Sequence, residues 1–246
     1  QYLLGAVSAS FAAGLVATDI SGSWACGHEG GRRFRGDRSM LRQNRSMLRQ
    51  SRSVADGIVA VSAGRMTTYR TLAAAAVDAI VAQLDERTKL RVRRRSCTRR
   101  LPLRGAVGWS DVRDGTDLGR RWPDTMLQHL AGRYGSEART VLAMVEHEPD
   151  LGRPLVEGLQ YLRAEALYAV RYEMAGSVVD VLERRTRARL LDREATAQAA
   201  LDCAELIGAE LGWDAHRRAA EVFGVLDDMA RERAALSSPT AEADAN

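Results

Sequence analysis

A glycine, an arginine and two threonines lie close together in the segment VSAGRMTTYR, residues 61–70. The run before Gly64 is short and apolar and the run after Thr68 is rich in alanine, so we predict a strand, a tight turn and a helix. A helix start presents unpaired backbone N–H groups and the positive end of the helix dipole. Arg65 adds a fixed charge, and Thr67 and Thr68 add hydroxyls. Together they suit a phosphate or a flavin ring that gains negative charge.

The elements that must position these groups are predicted on both sides of the turn. The strand is expected within GIVAVSAG, residues 57–64, and the helix shows apolar residues at a helical spacing. We expect its buried face to consist of Ala73, Ala76, Val77, Ile80, Val81 and Leu84. The same pattern also fits an ordinary strand-to-helix connection in which a threonine caps the helix.

Beyond Pro123 the pattern predicts only helices, about five of them, which is typical of an all-α module. Caps and breaks are expected at Asp124, Ser136, Pro149, the pair Ser177 and Asp180, Asp192, Gly212 and Asp214. The last two helices show apolar stripes: Ala199, Cys203, Leu206 and Ile207 on the first, and Ala219, Val222, Phe223, Leu226, Met229 and Ala230 on the second. A first helix is expected near the amino end, where Leu3, Leu4, Val7 and Phe11 share a face.

The composition indicates a globular protein of one large domain or two small ones, with 246 residues and 46% hydrophobic content. Residues 1–110 carry 19 basic and 7 acidic side chains, whereas the remainder carries 17 and 25, so the two halves differ in charge. Three cysteines, Cys26, Cys97 and Cys203, favour neither a disulfide framework nor a metal clamp. We expect a reducing, cytoplasmic location without a secretory signal or a membrane span, since the apolar opening lacks a basic region and is interrupted by polar residues.

Two segments lack a periodic pattern. Residues 26–53 are rich in Gly, Arg and Ser and contain the unit RSMLRQ twice, at Arg38 and at Arg45. We expect this loop, taken to residue 55, to be irregular, and its perfect repeat indicates a recent duplication. Residues 237–246 form a polar tail that we expect to be disordered.

The run from Arg87 to Arg104 holds nine basic residues and no acidic one. It could bind nucleic acid or lie on anionic lipid. No aromatic residue is interleaved for base stacking, so we favour a solvated interdomain linker and expect no nucleic-acid partner. We expect no metal site either, because His28, His129, His147 and His216 have no partners at ligand spacing, and a structural or surface role suits each.

Four stretches resemble FAD-dependent glycerol-3-phosphate dehydrogenases, in the order that this family has them. GIVAVSAGRMTTYRTLAAAAVDAIV is similar to the family segment with the motif Gly-Gly-Lys-x-Thr-Thr-Tyr-Arg. YLLGAVSASF with DISGSWA resembles the return from the substrate domain, and LPLRGAVGW resembles the link to the C-terminal domain. The most specific stretch, YLRAEALYAVRYEMAGSVVDVLERRTRARLL followed by LGWD, resembles that helical domain itself.

The resemblance implies oxidation of sn-glycerol 3-phosphate to dihydroxyacetone phosphate, with FAD as cofactor and a membrane quinone as electron acceptor. Gly64, Thr67 and Thr68 would approach the flavin or the substrate. Arg65 stands where the family has its Lys, and would contact the cofactor and the substrate phosphate. The resemblance also implies peripheral association with the inner face of the cell membrane, and it identifies no catalytic residue in this chain.

The departures from the family pattern are specific. Ala63 replaces the first Gly of the motif, and CGHEGGRRF stands where the family has a substrate-binding Gly-Leu-Arg-Pro-Leu run. That arginine has no counterpart here, although Arg32 or Arg33 could take its place. No GxGxxG follows a strand, so the site for the FAD pyrophosphate is not encoded. The sequence therefore indicates a C-terminal portion of the enzyme, inactive alone, with a loop typical of a reading-frame slip.

We thus predict an α+β chain. Residues 1–105 would belong to an α/β FAD and substrate domain, residues 106–236 to an all-α domain, and residues 237–246 to the tail. The alternative is a non-catalytic helical module that binds a partner through its acidic C-terminal half.

Overall fold

The computed structural model describes residues 2–11, 14, 16, 19, 20, 66–88, 96–115 and 121–237. The chain forms two compact units, one of residues Cys26–Leu103 and the other of Gln1–Ala25 with Arg104–Asn246. The irregular loop of residues 26–55, with its repeat, and residues 238–246 lie outside the described residues. The predicted domain boundaries stay a prediction.

The unit Cys26–Leu103 contains the predicted helix. A 3₁₀ turn, Met66–Thr68, leads without a break into a 20-residue helix, Tyr69–Thr88, which we call α2. The predicted strand, residues 57–64, lies outside the described residues, so the α/β part stays a prediction. Of the predicted buried face, Ala76 is buried.

The rest of that predicted face is not buried as expected. Ala73, Val77, Ile80 and Leu84 are exposed on α2, and Val81 is half-buried. The prediction was wrong here because periodicity identifies an apolar stripe but does not show whether a partner covers it.

The second unit is helical in its described residues, where the only β-type pairing is an isolated bridge between Pro154 and Leu162. Its helices are α1 (Tyr2–Phe11), α3 (Trp109–Arg113), α4 (Asp124–Tyr134), α5 (Ala138–His147), α6 (Arg163–Glu173), α7 (Ala188–Leu191), α8 (Arg193–Leu211) and α9 (Ala215–Ser237). A 3₁₀ turn, Gly135–Glu137, joins α4 to α5, another covers Pro149–Gly152, and a π-helical turn covers Asp180–Arg185. The five helices of ten or more residues after Pro123 confirm the predicted number.

Helix α6 is the centre of this unit, with six consecutive buried residues, Ala164–Ala169. One of its sides packs with α4 and α5 through Ala164, Leu167 and Tyr168. The other side packs with α8 through Ala166 and Ala169, in a core cluster that also includes Val225 and Met229 of α9. A helix that is buried all round in this way must satisfy any polar side chain it carries, because an unpaired buried polar group is costly.

Most predicted helix ends are confirmed. Asp192 caps α8, since its Oδ1 accepts from the Ala195 N–H at 2.9 Å, and Gly212 ends α8 at a φ of 68°. Asp214 caps α9 by accepting from the Arg217 N–H at 2.7 Å. Ser177 Oγ likewise accepts from the Asp180 N–H at 3.0 Å.

Two predicted caps lie one position or more from the real ones. Pro123 is the cap of α4, and Asp124 is the first helical residue. Ser136 lies inside the 3₁₀ turn that precedes α5, whose cap is Glu137. Pro149 begins a new turn one residue after the end of α5, and the helix stops before it as predicted.

The predicted stripe of α9 is only partly buried. Met229 is buried and Val222 is half-buried, but Phe223 is 70% exposed and Leu226 is exposed too. The buried side of α9 instead includes carboxylates. Glu221 accepts from the Val178 N–H at 3.0 Å, and Glu232 pairs with Arg189 at 2.9 Å.

The described part of the basic run is exposed or paired. Arg99 and Arg100 are exposed, and Arg104 pairs with Glu137 at 2.6 Å. Residues 89–95 lie outside the described residues. Across the portion of the chain that the structure describes, no helix has the length and apolar character needed to cross a membrane.

Candidate functional site

The predicted ligand-facing residues lie at the start of α2. Thr67 is exposed and Thr68 is half-buried, both within the turn Met66–Thr68. Gly64 and Arg65 lie outside the described residues. The described geometry therefore includes two of the four predicted site residues, in the turn directly before a 20-residue helix.

A second segment crosses α2 next to this start. Arg70 Nη1 donates to Thr98 Oγ1 at 3.2 Å, and the Ser96 N–H donates to Asp78 Oδ1 at 2.9 Å. Ser96 Oγ and Thr98 Oγ1 are themselves 2.9 Å apart and share a hydrogen bond. We call this set the α2 clamp: Arg70, Asp78, Ser96 and Thr98.

The spacing of the α2 clamp shows how it works. Arg70 and Asp78 lie on one face of α2, about 12 Å apart along the helix axis. Two extended residues, from Ser96 to Thr98, span about 7 Å of that distance. The long Arg70 side chain covers the rest. The segment thus runs antiparallel to α2 along the first three turns of the helix. The local sequence pattern does not predict this contact, because the partners are 18 and 28 positions apart in the chain.

We expect Asp78→Ala to open the α2 clamp, since it removes the only acceptor that holds the Ser96 N–H in that contact. Amide exchange of residues 96–100 should accelerate about fivefold, as expected for a lost hydrogen bond of about 1 kcal/mol. Hydrogen-exchange mass spectrometry measures this directly. Asp78→Asn keeps an acceptor oxygen and should show less than half the effect, and exposed Arg99→Gln should show none. Equal exchange in Asp78→Ala and the parent chain would contradict the role of the α2 clamp.

A buried carboxylate forms the main polar cluster of the helical unit. The Glu165 side chain is fully buried, and its Oε1 faces His129 Nε2 at 2.7 Å and the Leu162 N–H at 3.0 Å. Its Oε2 accepts from Arg133 Nε at 2.9 Å and from the Tyr134 hydroxyl at 2.9 Å. We call this set the Glu165 cluster. Each carboxylate oxygen has two hydrogen-bond partners, and since a carboxylate can only accept, its bond with His129 requires a proton on Nε2.

The surroundings hold the Glu165 cluster in place. The Arg133 guanidinium lies over the Tyr161 ring, 4.9 Å from its centroid, and its Nη2 donates to the Arg185 carbonyl at 2.7 Å. Burial and the nearby Glu165 carboxylate raise the pKa of the Tyr134 hydroxyl, which therefore remains a donor at neutral pH. A buried carboxylate with four hydrogen-bond partners is suited to joining α4 to α6.

The other polar residues singled out in the sequence have ordinary surroundings. His129 has the structural role that was expected, and His147 and His216 are exposed. Cys97 is exposed, whereas Cys203 is fully buried, and burial raises the pKa of its thiol. In the described ranges no three His, Cys, Asp or Glu side chains come together as a metal site would require. His28 and Cys26 lie outside those ranges.

Comparisons with known proteins agree on one family. Residues 96–218 match the family model described as the C-terminal domain of alpha-glycerophosphate oxidase. Glycerol-3-phosphate dehydrogenase 2 of Mycobacterium tuberculosis is 32% identical, over 99% of this chain and 43% of the relative. The glycerol-3-phosphate dehydrogenase of Mycobacterium leprae is 33% identical, over 87% of this chain and 36% of the relative.

The human mitochondrial glycerol-3-phosphate dehydrogenase is 32% identical, over 66% of this chain and 22% of the relative. The chain thus spans less than half the length of each of these relatives. No solved structure matches it.

Proposed function

Because the chain belongs to the family defined by the C-terminal domain of alpha-glycerophosphate oxidase, we propose that it serves as the C-terminal part of an FAD-dependent glycerol-3-phosphate dehydrogenase. The reaction is the oxidation of sn-glycerol 3-phosphate to dihydroxyacetone phosphate. The observation that carries this proposal is the similarity to glycerol-3-phosphate dehydrogenase 2 of Mycobacterium tuberculosis over 99% of the chain. FAD, when bound, supplies the acceptor for the substrate hydride.

The start of α2 fits the ring end of such a cofactor. The positive end of the helix dipole and the hydroxyl of exposed Thr67 are suited to an anionic ring edge. Thr68 continues the same turn, and Gly64 would allow a close approach of the backbone. Arg65 would bind the substrate phosphate, as a guanidinium can do through two parallel hydrogen bonds. These four assignments belong to the proposal.

The residues of this chain do not fit the other end of the cofactor. The 246 residues contain no GxGxxG after a predicted strand, which is the usual cradle of the pyrophosphate. We therefore expect the purified chain alone to hold no stoichiometric FAD and to reduce no dye with glycerol 3-phosphate. Visible absorbance and a dye-reduction assay measure both. Stoichiometric flavin in the purified chain, together with turnover, would contradict the claim that its cofactor site is incomplete.

The activity itself is tested by complementation. The purified chain is mixed with FAD and with the part of the Mycobacterium tuberculosis relative that it does not match. Dye reduction should then require glycerol 3-phosphate and should not occur with glycerol. Arg65→Ala should raise KM by about 10-fold to 100-fold with a smaller change in kcat, because a charge-assisted contact to the phosphate is lost. Arg65→Lys should restore most of the affinity, and exposed Arg99→Gln is the matched control. An unchanged KM and kcat after Arg65→Ala would contradict the proposed role of Arg65 in binding the substrate phosphate.

The electron acceptor and the location follow from the same proposal. Electrons would leave the reduced cofactor for a quinone. The chain would then work in the cytoplasm against the inner face of the cell membrane, as a peripheral protein. The substrate is a small phosphate ester, and no nucleic acid takes part.

One observation favours a second function, that of a non-catalytic helical interaction module. Phe223, an aromatic side chain, is 70% exposed on α9, beside exposed Leu226. Exposed apolar residues on one helix face are typical of binding surfaces when they form a patch. Pull-down from a lysate of the source cells, with Phe223→Ser as control, distinguishes this function from catalysis.

A further inference from the structure

A turn in the segment that crosses α2 presents an exposed hydroxyl. Residues 97–100 form this turn, which a backbone hydrogen bond of 3.0 Å closes, and all four are exposed. Thr98 lies inside the turn, and its Oγ1 contacts Arg70 Nη1 at 3.2 Å and Ser96 Oγ at 2.9 Å. Exposed turns are the parts of a fold that other enzymes reach most readily, as the sites of proteolysis show.

The charges next to the Thr98 hydroxyl are positive. The Arg70 guanidinium reaches the hydroxyl from α2. Arg99 and Arg100 follow Thr98 directly, both are exposed, and neither has an ion pair in the part of the chain that the structure describes. A phosphate on Thr98 would therefore enter a basic surface. It would accept charge-assisted hydrogen bonds from Arg70, which is how a phosphate orders a loop beside arginines.

Ser96 is the competing hydroxyl, and its surroundings do not suit a phosphate. Ser96 is half-buried, and its N–H donates to Asp78 Oδ1 at 2.9 Å. A phosphate on its side chain would lie close to the Asp78 carboxylate, and like charges repel. Thr98 is exposed and faces a guanidinium instead. The surroundings thus favour Thr98, although the sequence RRRSCTRR, residues 93–100, offers both hydroxyls to an enzyme that recognises arginines.

We propose that Thr98 is a phosphorylation site for a serine/threonine protein kinase that recognises arginines, and that the phosphate locks the α2 clamp. In the reaction, the bond between the γ-phosphorus of ATP and its bridging oxygen breaks, and a bond from this phosphorus to Thr98 Oγ1 forms. The hydroxyl proton passes to a carboxylate base of the kinase, and ADP leaves.

The lock follows from the change at Oγ1. Arg70 now donates to a neutral hydroxyl, whereas it would then donate to a phosphate, and charge-assisted hydrogen bonds are the stronger kind. The Ser96 hydroxyl would donate to the same phosphate. Because Arg70 lies in the first turn of α2, the modification would also hold the start of this helix more firmly.

The first experiment locates the phosphate. The full 246-residue chain is incubated with magnesium ATP and the catalytic domain of protein kinase C, a kinase that accepts arginine on both sides of its target. Tandem mass spectrometry then assigns the modified hydroxyl within residues 96–100. We expect phosphate on Thr98, lost in Thr98→Ala and kept in Ser96→Ala. A synthetic peptide of residues 90–104 has the same sequence without the fold, and it should accept phosphate on both hydroxyls.

The second experiment measures the lock by hydrogen-exchange mass spectrometry. Amide exchange of residues 96–100 should be about fivefold to tenfold slower in the phosphorylated chain, because a charge-assisted contact replaces a neutral one. Arg70→Gln does not alter the sequence around Thr98, so phosphate should still be incorporated, but exchange should no longer slow. Arg70→Lys keeps the charge without the fork of donors and should restore part of the slowing. Circular dichroism checks that both variants are folded.

Each outcome decides the question. Phosphate on Thr98, with slower exchange that requires Arg70, supports the inference. Phosphate on Ser96 of the folded chain, or no phosphate within residues 96–100, overturns the assignment of the site. Phosphate on Thr98 with unchanged or faster exchange, or with a slowing that Arg70→Gln retains, overturns the lock.

Discussion

Glu165→Ala should lower the free energy of unfolding by about 3–5 kcal/mol, because it removes one partner from a buried charge network. The change leaves His129, Arg133 and the Leu162 N–H facing a space without their acceptor. It also leaves a hole next to α6, and the surrounding helices can fill such a hole only in part. Urea denaturation followed by circular dichroism measures the loss.

Two further variants separate charge from hydrogen bonding in the Glu165 cluster. Glu165→Gln keeps the shape but has one acceptor oxygen, and its NH₂ group would face either His129 or Arg133, which are donors themselves. Glu165→Gln should therefore lower the free energy of unfolding nearly as much as Glu165→Ala does. Tyr134→Phe removes a single donor and should cost about 1 kcal/mol. Exposed Glu205→Ala on α8 is the control, expected within about 0.5 kcal/mol of the parent. A Glu165→Ala loss similar to this control would show that the cluster contributes little.

Local chemistry explains which parts of the fold were predictable. Asp192, Gly212 and Asp214 were identified as helix ends because a cap depends on one side chain and the backbone within three residues of it. The helix α2 was predicted for a similar reason, since its period lies within one segment. Such features need no knowledge of what packs against them.

Features that depend on distant partners were missed or misread. The Glu165 cluster unites side chains 31 to 36 positions apart, so nothing in the local pattern of either segment predicts it. A visible hint was a glutamate inside the apolar run of α6, where an unpaired carboxylate would be too costly. On α9 the apolar spacing predicted that Phe223 is buried, but its side chain is exposed. Glu221 lies on the buried side instead, where its carboxylate accepts from the Val178 N–H.

The candidate site shows the same division. The sequence predicted a helix start with Thr67 and Thr68, and the structure has that start. The roles of Gly64, Arg65 and both threonines toward a ligand stay predictions, because they depend on a partner surface that periodicity cannot describe. The α2 clamp became visible only with coordinates, since it depends on a segment 18 to 28 positions away in the chain.

Gly135→Ala should lower the free energy of unfolding by about 3–4 kcal/mol, because two backbone segments cross at this residue. A Cβ on Gly135 would lie 2.0 Å from the Gly105 carbonyl oxygen, and one on Gly105 would lie 2.3 Å from the Tyr134 oxygen. The Ser136 N–H donates to the same Gly105 oxygen at 2.8 Å, so neither segment can retreat without losing that bond. Gly135 also has a φ of 61°, which adds strain of about 1–3 kcal/mol for alanine.

Two glycines of the same unit separate the steric part from the conformational part of this effect. Gly158 has a φ of 78° but open space around its Cβ position, so Gly158→Ala should cost only the backbone strain, about 1 kcal/mol. Gly132 lies inside α4 with open space and a helical backbone, and Gly132→Ala should stabilise by about 0.5–1 kcal/mol. The denaturation midpoints of the three variants rank their stabilities. A Gly135→Ala loss no larger than that of Gly158→Ala would mean that the crossing relaxes freely, and the link between the segment before α3 and the end of α4 would then be loose.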